Sequence, residues 1–256
     1  MQKSVFRLIL TIFCLIFIIQ ACDMETPDSF IGQQKQFRRV AYAFSLKDTV
    51  LFDEFEQAKL TYPPQNLFIR AFKAEKELEL WVKQSEDTTY QYFKTYPICK
   101  VPGKLGPKRV QGDSQVPEGI YHIDYFNPKS TYHLSLRINY PNASDKIRGD
   151  KDDPGDNIFI HGACLSVGCL PMTNDGIREI YCLAVHAHNH EQAEIPVHIF
   201  PFRPQHEEAK VLTDSTSTHP HKALWQELFP FHQYFNKHKK LPTFAISPEG
   251  AYKIQE

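Results

Sequence analysis

Along residues 132–140 apolar and polar side chains alternate. Tyr132, Leu134, Leu136, Ile138 and Tyr140 fall on one face of an extended chain, and His133, Ser135, Arg137 and Asn139 on the other. That period of two predicts a half-buried antiparallel strand. The same period marks residues 67–73 and 77–83 as the arms of a hairpin, the second alternating Leu78, Leu80 and Val82 with charged residues and Trp81. Further strands are expected at 90–96 and at 119–126, where Tyr121, Ile123 and Tyr125 share a face. Turn chemistry separates them, as at Val101-Pro102-Gly103, Asn127-Pro128 and Asp153-Pro154-Gly155.

Elsewhere the period lengthens to that of a helix. Val50, Leu51, Phe55 and Ala58 follow Asp48 as a plausible N-cap, and Pro63-Pro64 stops the pattern, so an amino-terminal helix is expected within 46–65. Residues 157–160 read as a short strand running into His161-Gly162, and 175–188 as a helix carrying Ile177, Ile180, Ala184 and Val185. A last strand at 197–202 precedes a polar connector over 203–220. Short helices at 223–228 and 231–239 follow, divided by Pro230, which fits poorly inside one continuous helix. Trp225, Phe229, Phe231, Tyr234 and Phe235 would lay this 203–256 extension against one side of a sheet. The class is α+β, mainly β.

Composition narrows the picture at two points. With 42% hydrophobic residues, 23% charged and a formal net charge of -1, the 256-residue chain can bury a core but offers no basic stripe for nucleic acid. At the amino terminus Lys3 and Arg7 precede an apolar run over 8–19, which covers only about half of the ~20 residues a membrane span needs. That run reads as a secretory signal over 1–21. Ile19-Gln20-Ala21-Cys22 resembles a lipobox, implying an acylated Cys22 and a lipid-anchored domain facing the periplasm, with residues 22–45 as a polar tether. An ordinary signal cut nearby is the alternative.

The mature domain then keeps Cys99, Cys164, Cys169 and Cys182. Four cysteines in an exported domain suggest disulfides, but Cys164 and Cys169 lie in one glycine-punctuated stretch that reads better as a site, with Cys169 as a free thiol. Cys164 is expected to be a small buried hydrophobe, and Cys99 and Cys182 core residues. In His161-Gly162-Ala163-Cys164-Leu165-Ser166-Val167-Gly168-Cys169 an imidazole precedes a thiol by eight positions. A thiol attacks best as a thiolate, so His161 and the following helix amino terminus are expected to lower the Cys169 pKa. Gly168 would leave main-chain N–H groups near Cys169 free for an oxyanion, with Ser166 shaping that pocket or fixing the loop. Spacing alone fits core residues or metal ligands as well.

The segment closely resembles the catalytic motif of the L,D-transpeptidase (YkuD-type) family, His-Gly followed by Ser-x-Gly-Cys. Val116-Pro117-Glu118-Gly119-Ile120-Tyr121 is similar to that family's strand entry. Leu105-Gly106-Pro107-Lys108, Gln111-Gly112-Asp113, Tyr140-Pro141-Asn142-Ala143 and Gly168-Cys169-Leu170-Pro171-Met172-Thr173 resemble its YafK-like branch. The resemblance implies a curved β-sandwich or barrel with flanking helices over 66–202. It also implies a Cys169 thioester with a peptidoglycan stem peptide, proton transfer by His161, the Gly162 carbonyl orienting its ring, and no cofactor.

Two positions depart from the wider family pattern: Val167 replaces a second histidine, and Pro171 an arginine. Arg137 is a candidate replacement for that cation, and Tyr140 and Asn142 are candidate groove residues. The YafK-like branch includes an amidase that frees a peptidoglycan-linked protein by cutting a diaminopimelate–lysine bond, which favours water over an amine as acceptor. Two rival readings stand beside this one. A lipid-anchored module could hold cell-wall peptide without cutting it. A metal could be bound by His186, His188, His190 and His198, although on a helix His188 faces away from the other two and all three read more simply as a solvated helix end.

Overall fold

A computed structural model describes residues 26–255; the signal expected over 1–21 and the acylation expected at Cys22 lie outside the described residues. Strands β1 (Asn66–Phe72), β2 (Glu77–Lys83), β3 (Gln91–Pro97), β4 (Gly119–Asn127), β5 (Ser135–Ile138), β6 (Phe159–His161), β7 (Leu170–Pro171) and β8 (Ile195–Phe200) form one curved sheet. Their order is β3-β2-β1-β8-β4-β5-β6-β7. The β1/β8 and β6/β7 pairs are parallel and the others antiparallel.

The central strand β1 is covered on both sides, so both of its faces are buried. Leu67, Ile69 and Ala71 join the main core, while Phe68 and Phe72 join clusters beneath the carboxyl-terminal elements. The main core is closed by helix α1 (Phe30–Lys35), helix α2 (Arg38–Gln57) and, after the short helix α3 (Ala143–Arg148), helix α4 (Asn174–Asn189). Residues from Phe30 onward are therefore packed helix where a tether was expected. Val40, Phe44, Leu51 and Phe55 recur on one buried stripe, and Ile31 and Gln34 seat the preceding turn. Asp48 lies inside α2, where its carboxylate accepts hydrogen bonds from Tyr62 and His186 instead of capping a helix.

The opposite face is covered by the short helix α5 (Lys210–Thr213), helix α6 (Lys222–His238) and a hairpin of β9 (Thr243–Ile246) and β10 (Tyr252–Gln255), which the sequence pattern did not predict. Helix α6 runs through Pro230 unbroken. An interior proline costs about 3 kcal/mol, yet Leu224, Trp225, Leu228, Phe229, Phe231 and Phe235 are all buried along the helix, and burying such side chains contributes roughly 1.5–3 kcal/mol each. The strand expected over 132–140 is confined to β5: His133 has a positive φ of 76° and turns the chain, leaving Tyr132 45% exposed.

Candidate active site

Strand β6 ends at His161 and pairs in parallel with β7, Ile160 opposite Leu170 and His161 opposite Pro171. The link between them spans only residues 162–169, short for a parallel connection, which usually takes a dozen residues or more. It is held by unusual backbone: Ala163, Cys164 and Gly168 have φ values of 72°, 48° and 151°. At Gly168 a Cβ would also meet the Gln115 carbonyl at 3.3 Å, so both conformation and space favour glycine there.

The register brings Cys169 beside the start of β6. The Phe159 N–H donates to Sγ at 3.4 Å, and Sγ donates to the Asn157 carbonyl at 3.7 Å. Cys169 and His161 line one cavity of about 250 Å³ with Tyr132, Ser135, Asn157 and Phe159. The His161 Nδ1–H donates to the Gly162 carbonyl at 2.6 Å, which fixes a neutral tautomer whose lone pair sits on Nε2. The Tyr132 ring lies over the imidazole with centroids 4.7 Å apart.

Electrostatically the site rests neutral. Burial pulls the His161 pKa below its ordinary 6.5, only partly opposed by the bond to Gly162. Burial raises the Cys169 pKa above its ordinary 9.0, against smaller lowering effects from the Phe159 N–H and the charge of Lys108. A thiolate at neutral pH, expected from the sequence, is therefore not favoured. The helix terminus does not supply it either. The Thr173 hydroxyl accepts the Gly176 N–H at 2.9 Å, and Asn174 Oδ1 accepts the Ala163 N–H at 2.9 Å, so the start of α4 positions the loop.

Ser166 settles the arrangement of the loop. Its Oγ accepts the N–H groups of Gly168 at 3.2 Å and Cys169 at 2.7 Å and donates to the Cys169 carbonyl at 3.0 Å. The two N–H groups expected to be free for an oxyanion are thus engaged in this resting structure. Cys164, expected as a buried hydrophobe, is exposed and forms a disulfide with Cys99, their Cα atoms 5.2 Å apart. The bridge ties the loop to the chain leaving β3. Cys182 is buried and free.

The other expected site residues divide. Arg137 faces a depression next to the reaction cavity and pairs with Asp124 at 2.9 Å. Tyr140 borders the same depression, but its hydroxyl donates to the Pro154 carbonyl at 2.8 Å. Asn142 caps α3 and donates to the Ile120 carbonyl and the Tyr252 hydroxyl at 2.9 and 2.8 Å, so its polar atoms hold a turn. The histidines near the end of α4 do not form the solvated end expected. His186 is buried against Asp48 and Tyr62, His188 stacks on Phe30 at 4.0 Å, and His198 lies 3% exposed among Phe68, Phe200 and Phe231. Among the described residues no group of three or more His, Cys, Asp or Glu side chains is placed to hold a metal ion. Sequence reasoning missed Asn157 and Asn174. The only trace of Asn174 is its position after a helix-capping threonine, and Asn157 owes its place to a positive φ of 55°.

Residues 68–197 match the model of the L,D-transpeptidase catalytic domain, YkuD. Over 218 residues the chain is 36% identical to a protein of Escherichia coli strain K12 bearing the name L,D-transpeptidase YafK, covering 83% of this chain and 82% of that one. A counterpart of the same name in strain O157:H7 gives the same values. Among solved structures, the helical cell shape determining protein Pgp2 of Campylobacter jejuni aligns at TM-score 0.43 and 20% identity, over 54% of this chain and 48% of that one. Bd1075 of Bdellovibrio bacteriovorus aligns at TM-score 0.39 and 24% identity, over 69% and 59%.

Proposed function

Because the chain belongs to the L,D-transpeptidase (YkuD) family, close to its YafK-like branch, we propose that it is a peptidoglycan acyl-transfer enzyme with Cys169 as nucleophile and His161 as general base. The observation that carries this reading is the Nδ1–H bond from His161 to the Gly162 carbonyl, in a cavity the imidazole shares with Cys169. That bond leaves Nε2 as the basic nitrogen. Starting from a neutral pair, attack and proton transfer go together. The Sγ–C bond forms at the donor carbonyl as the thiol proton moves to Nε2, and the tetrahedral adduct then expels an amine, which takes that proton. The thioester on Cys169 remains. Water activated by the same Nε2 cleaves it and regenerates the thiol.

Hydrolysis is the favoured outcome because the Escherichia coli relatives bear the name of the branch that the sequence motifs resemble, and that resemblance implies an amidase. An amine acceptor would give a cross-link by the same thioester. Acylation of Cys22 would keep the domain in the envelope beside this substrate, and the positive amino terminus, apolar run and lipobox-like residues support that placement. Digestion of purified sacculi, followed by muropeptide analysis, tests the reading. The wild type is expected to release peptide or a linked protein, and Cys169→Ala to lose turnover on the order of 10³-fold or more with its fold intact. Product release by Cys169→Ala at the wild-type rate would contradict it.

A further inference from the structure

Helix α2 buries one stripe and exposes another. Val40, Phe44, Leu51 and Phe55 face the core, while Tyr42, Leu46 and Val50, spaced one turn apart along the outer side, are 53%, 41% and 42% exposed. A helix that covers a core ordinarily carries polar and charged groups on that side. Here the amino-terminal half adds cations to the apolar stripe: Arg38, Arg39 and Tyr42 line an open concavity of about 690 Å³ with Ala41 and Ser45. Arg178 of α4 lies over the Tyr42 ring at 5.6 Å. No carboxylate is exposed along the helix before Asp53, since Asp48 is held by Tyr62 and His186. Asp175, on the adjoining helix α4, is taken up by Lys47 at 2.6 Å and Arg178 at 3.7 Å. The surface is apolar and cationic at once.

The path of the chain says what can cover it. Helix α1 starts at Phe30, capped by the Ser29 side chain, and leads through Gln36 and Phe37 directly into α2. Six residues, 23–28, separate Cys22 from Ser29. Fully extended they reach roughly 25 Å. Taking Cys22 as the acylated residue, as proposed above, the start of α1 stands no further than that from the lipid, and a face of the domain next to it must lie on the bilayer surface. We propose that this face is the outer side of α2 and that it docks on anionic phospholipid. Tyr42, Leu46 and Val50 enter the headgroup region, and Arg38, Arg39 and Arg178 lie beside the lipid phosphates. Arg39 also donates to the Ser130 and His133 carbonyls, and Ser130 borders the cavity of Cys169 and His161. Docking would therefore hold the mouth of that cavity close to the lipid surface.

The test uses the mature chain extracted from membranes and reconstituted into vesicles of phosphatidylethanolamine and phosphatidylglycerol with brominated acyl chains. The fluorescence of Leu46→Trp is expected to be quenched by the bromines. That of Tyr92→Trp, an exposed position on β3 beside the carboxyl-terminal layer, is not. The native Trp81 and Trp225 are buried in the protein and set a common background. Adding Arg38→Gln to Leu46→Trp is expected to lower the ratio of docked to undocked chain about fivefold, the share of one cation at an anionic surface. Phosphatidylcholine vesicles are expected to lower it at least as much. Flotation with the vesicles and intact mass report the anchor separately. A chain that floats, carries lipid and shows equal quenching at both positions would overturn the docking face and leave the anchor standing. Emission from Leu46→Trp that is blue-shifted yet unquenched would assign the stripe to a second copy or a protein partner, against the proposal. A chain that carries no lipid on Cys22 and stays out of the float would overturn anchor and face together.

Discussion

Two ends of one sheet bury ionisable side chains in opposite ways. Under the carboxyl-terminal layer the buried carboxylates and cations pair with one another, while His198 and His232 lie buried and neutral. Lys73 and Glu118, both with fully buried side chains, pair at 3.0 Å; Lys73 also donates to the Gly106 and Val116 carbonyls, and Glu118 receives Trp225 Nε1 at 2.8 Å. Nearby, burial works against ionisation of Glu79, but Arg70, Trp81 and Arg203 outweigh it and hold its carboxyl below the usual range. At the β6–β7 end, burial is the largest effect on His161 and Cys169, outweighing the Gly162 carbonyl at the one and the Phe159 N–H and the charge of Lys108 at the other, and both rest uncharged. Paired burial fixes a structure and leaves nothing to react. Unpaired burial leaves two neutral groups between which a proton can move once a substrate carbonyl arrives.

The sharpest way to break the structural side of this comparison is Lys73→Met. It strands the Glu118 carboxylate in the interior, and a loss of about 3–5 kcal/mol is expected in chemical denaturation. A smaller effect, about 2–4 kcal/mol, is expected from Cys99→Ala with Cys164→Ala, because the bridge joins positions 65 residues apart and restricts the unfolded chain. Circular dichroism melts with and without reductant check it, the reduced wild type falling to the level of the double variant. Smallest of all is Ser166→Ala. It frees the N–H groups of Gly168 and Cys169 from Oγ and loosens the loop, so kcat/KM is expected to fall about tenfold while the melting temperature barely moves. A rise in kcat instead would mean that those N–H groups serve the oxyanion better without the serine.

Much of this was legible in the chain itself, and the failures have local causes. The hairpin of β1 and β2 followed from Leu78, Leu80 and Val82, because a strand with one polar face announces its period. Helix α2 was placed too late because Asp48 resembled a cap, although Val40, Phe44, Leu51 and Phe55 continue the same stripe on either side of it. Pro230 argued for a break that packing overrode. The proposed catalytic pair stood out because glycines and a serine bracket it. Its resting charge did not, since the pKa of a thiol depends on its folded surroundings, here burial opposed by the Phe159 N–H and by the charge of Lys108, a residue distant in sequence. The Cys99–Cys164 bridge was hidden for the same reason: only the folded sheet brings β3 beside the loop.

The proposed nucleophile is a neutral thiol until substrate arrives. The most direct measurement is the pH dependence of Cys169 alkylation by iodoacetamide, followed by intact mass, beside that of its acylation by a peptide donor in wild type and His161→Gln. Alkylation is expected to be slow at neutral pH and to rise only as the medium passes the ordinary thiol value of 9.0. Acylation is expected to proceed already at neutral pH, to fall off only below 6.5 as His161 takes a proton, and to be lost in His161→Gln. Fast alkylation at pH 7, or acylation that survives in His161→Gln, would contradict it.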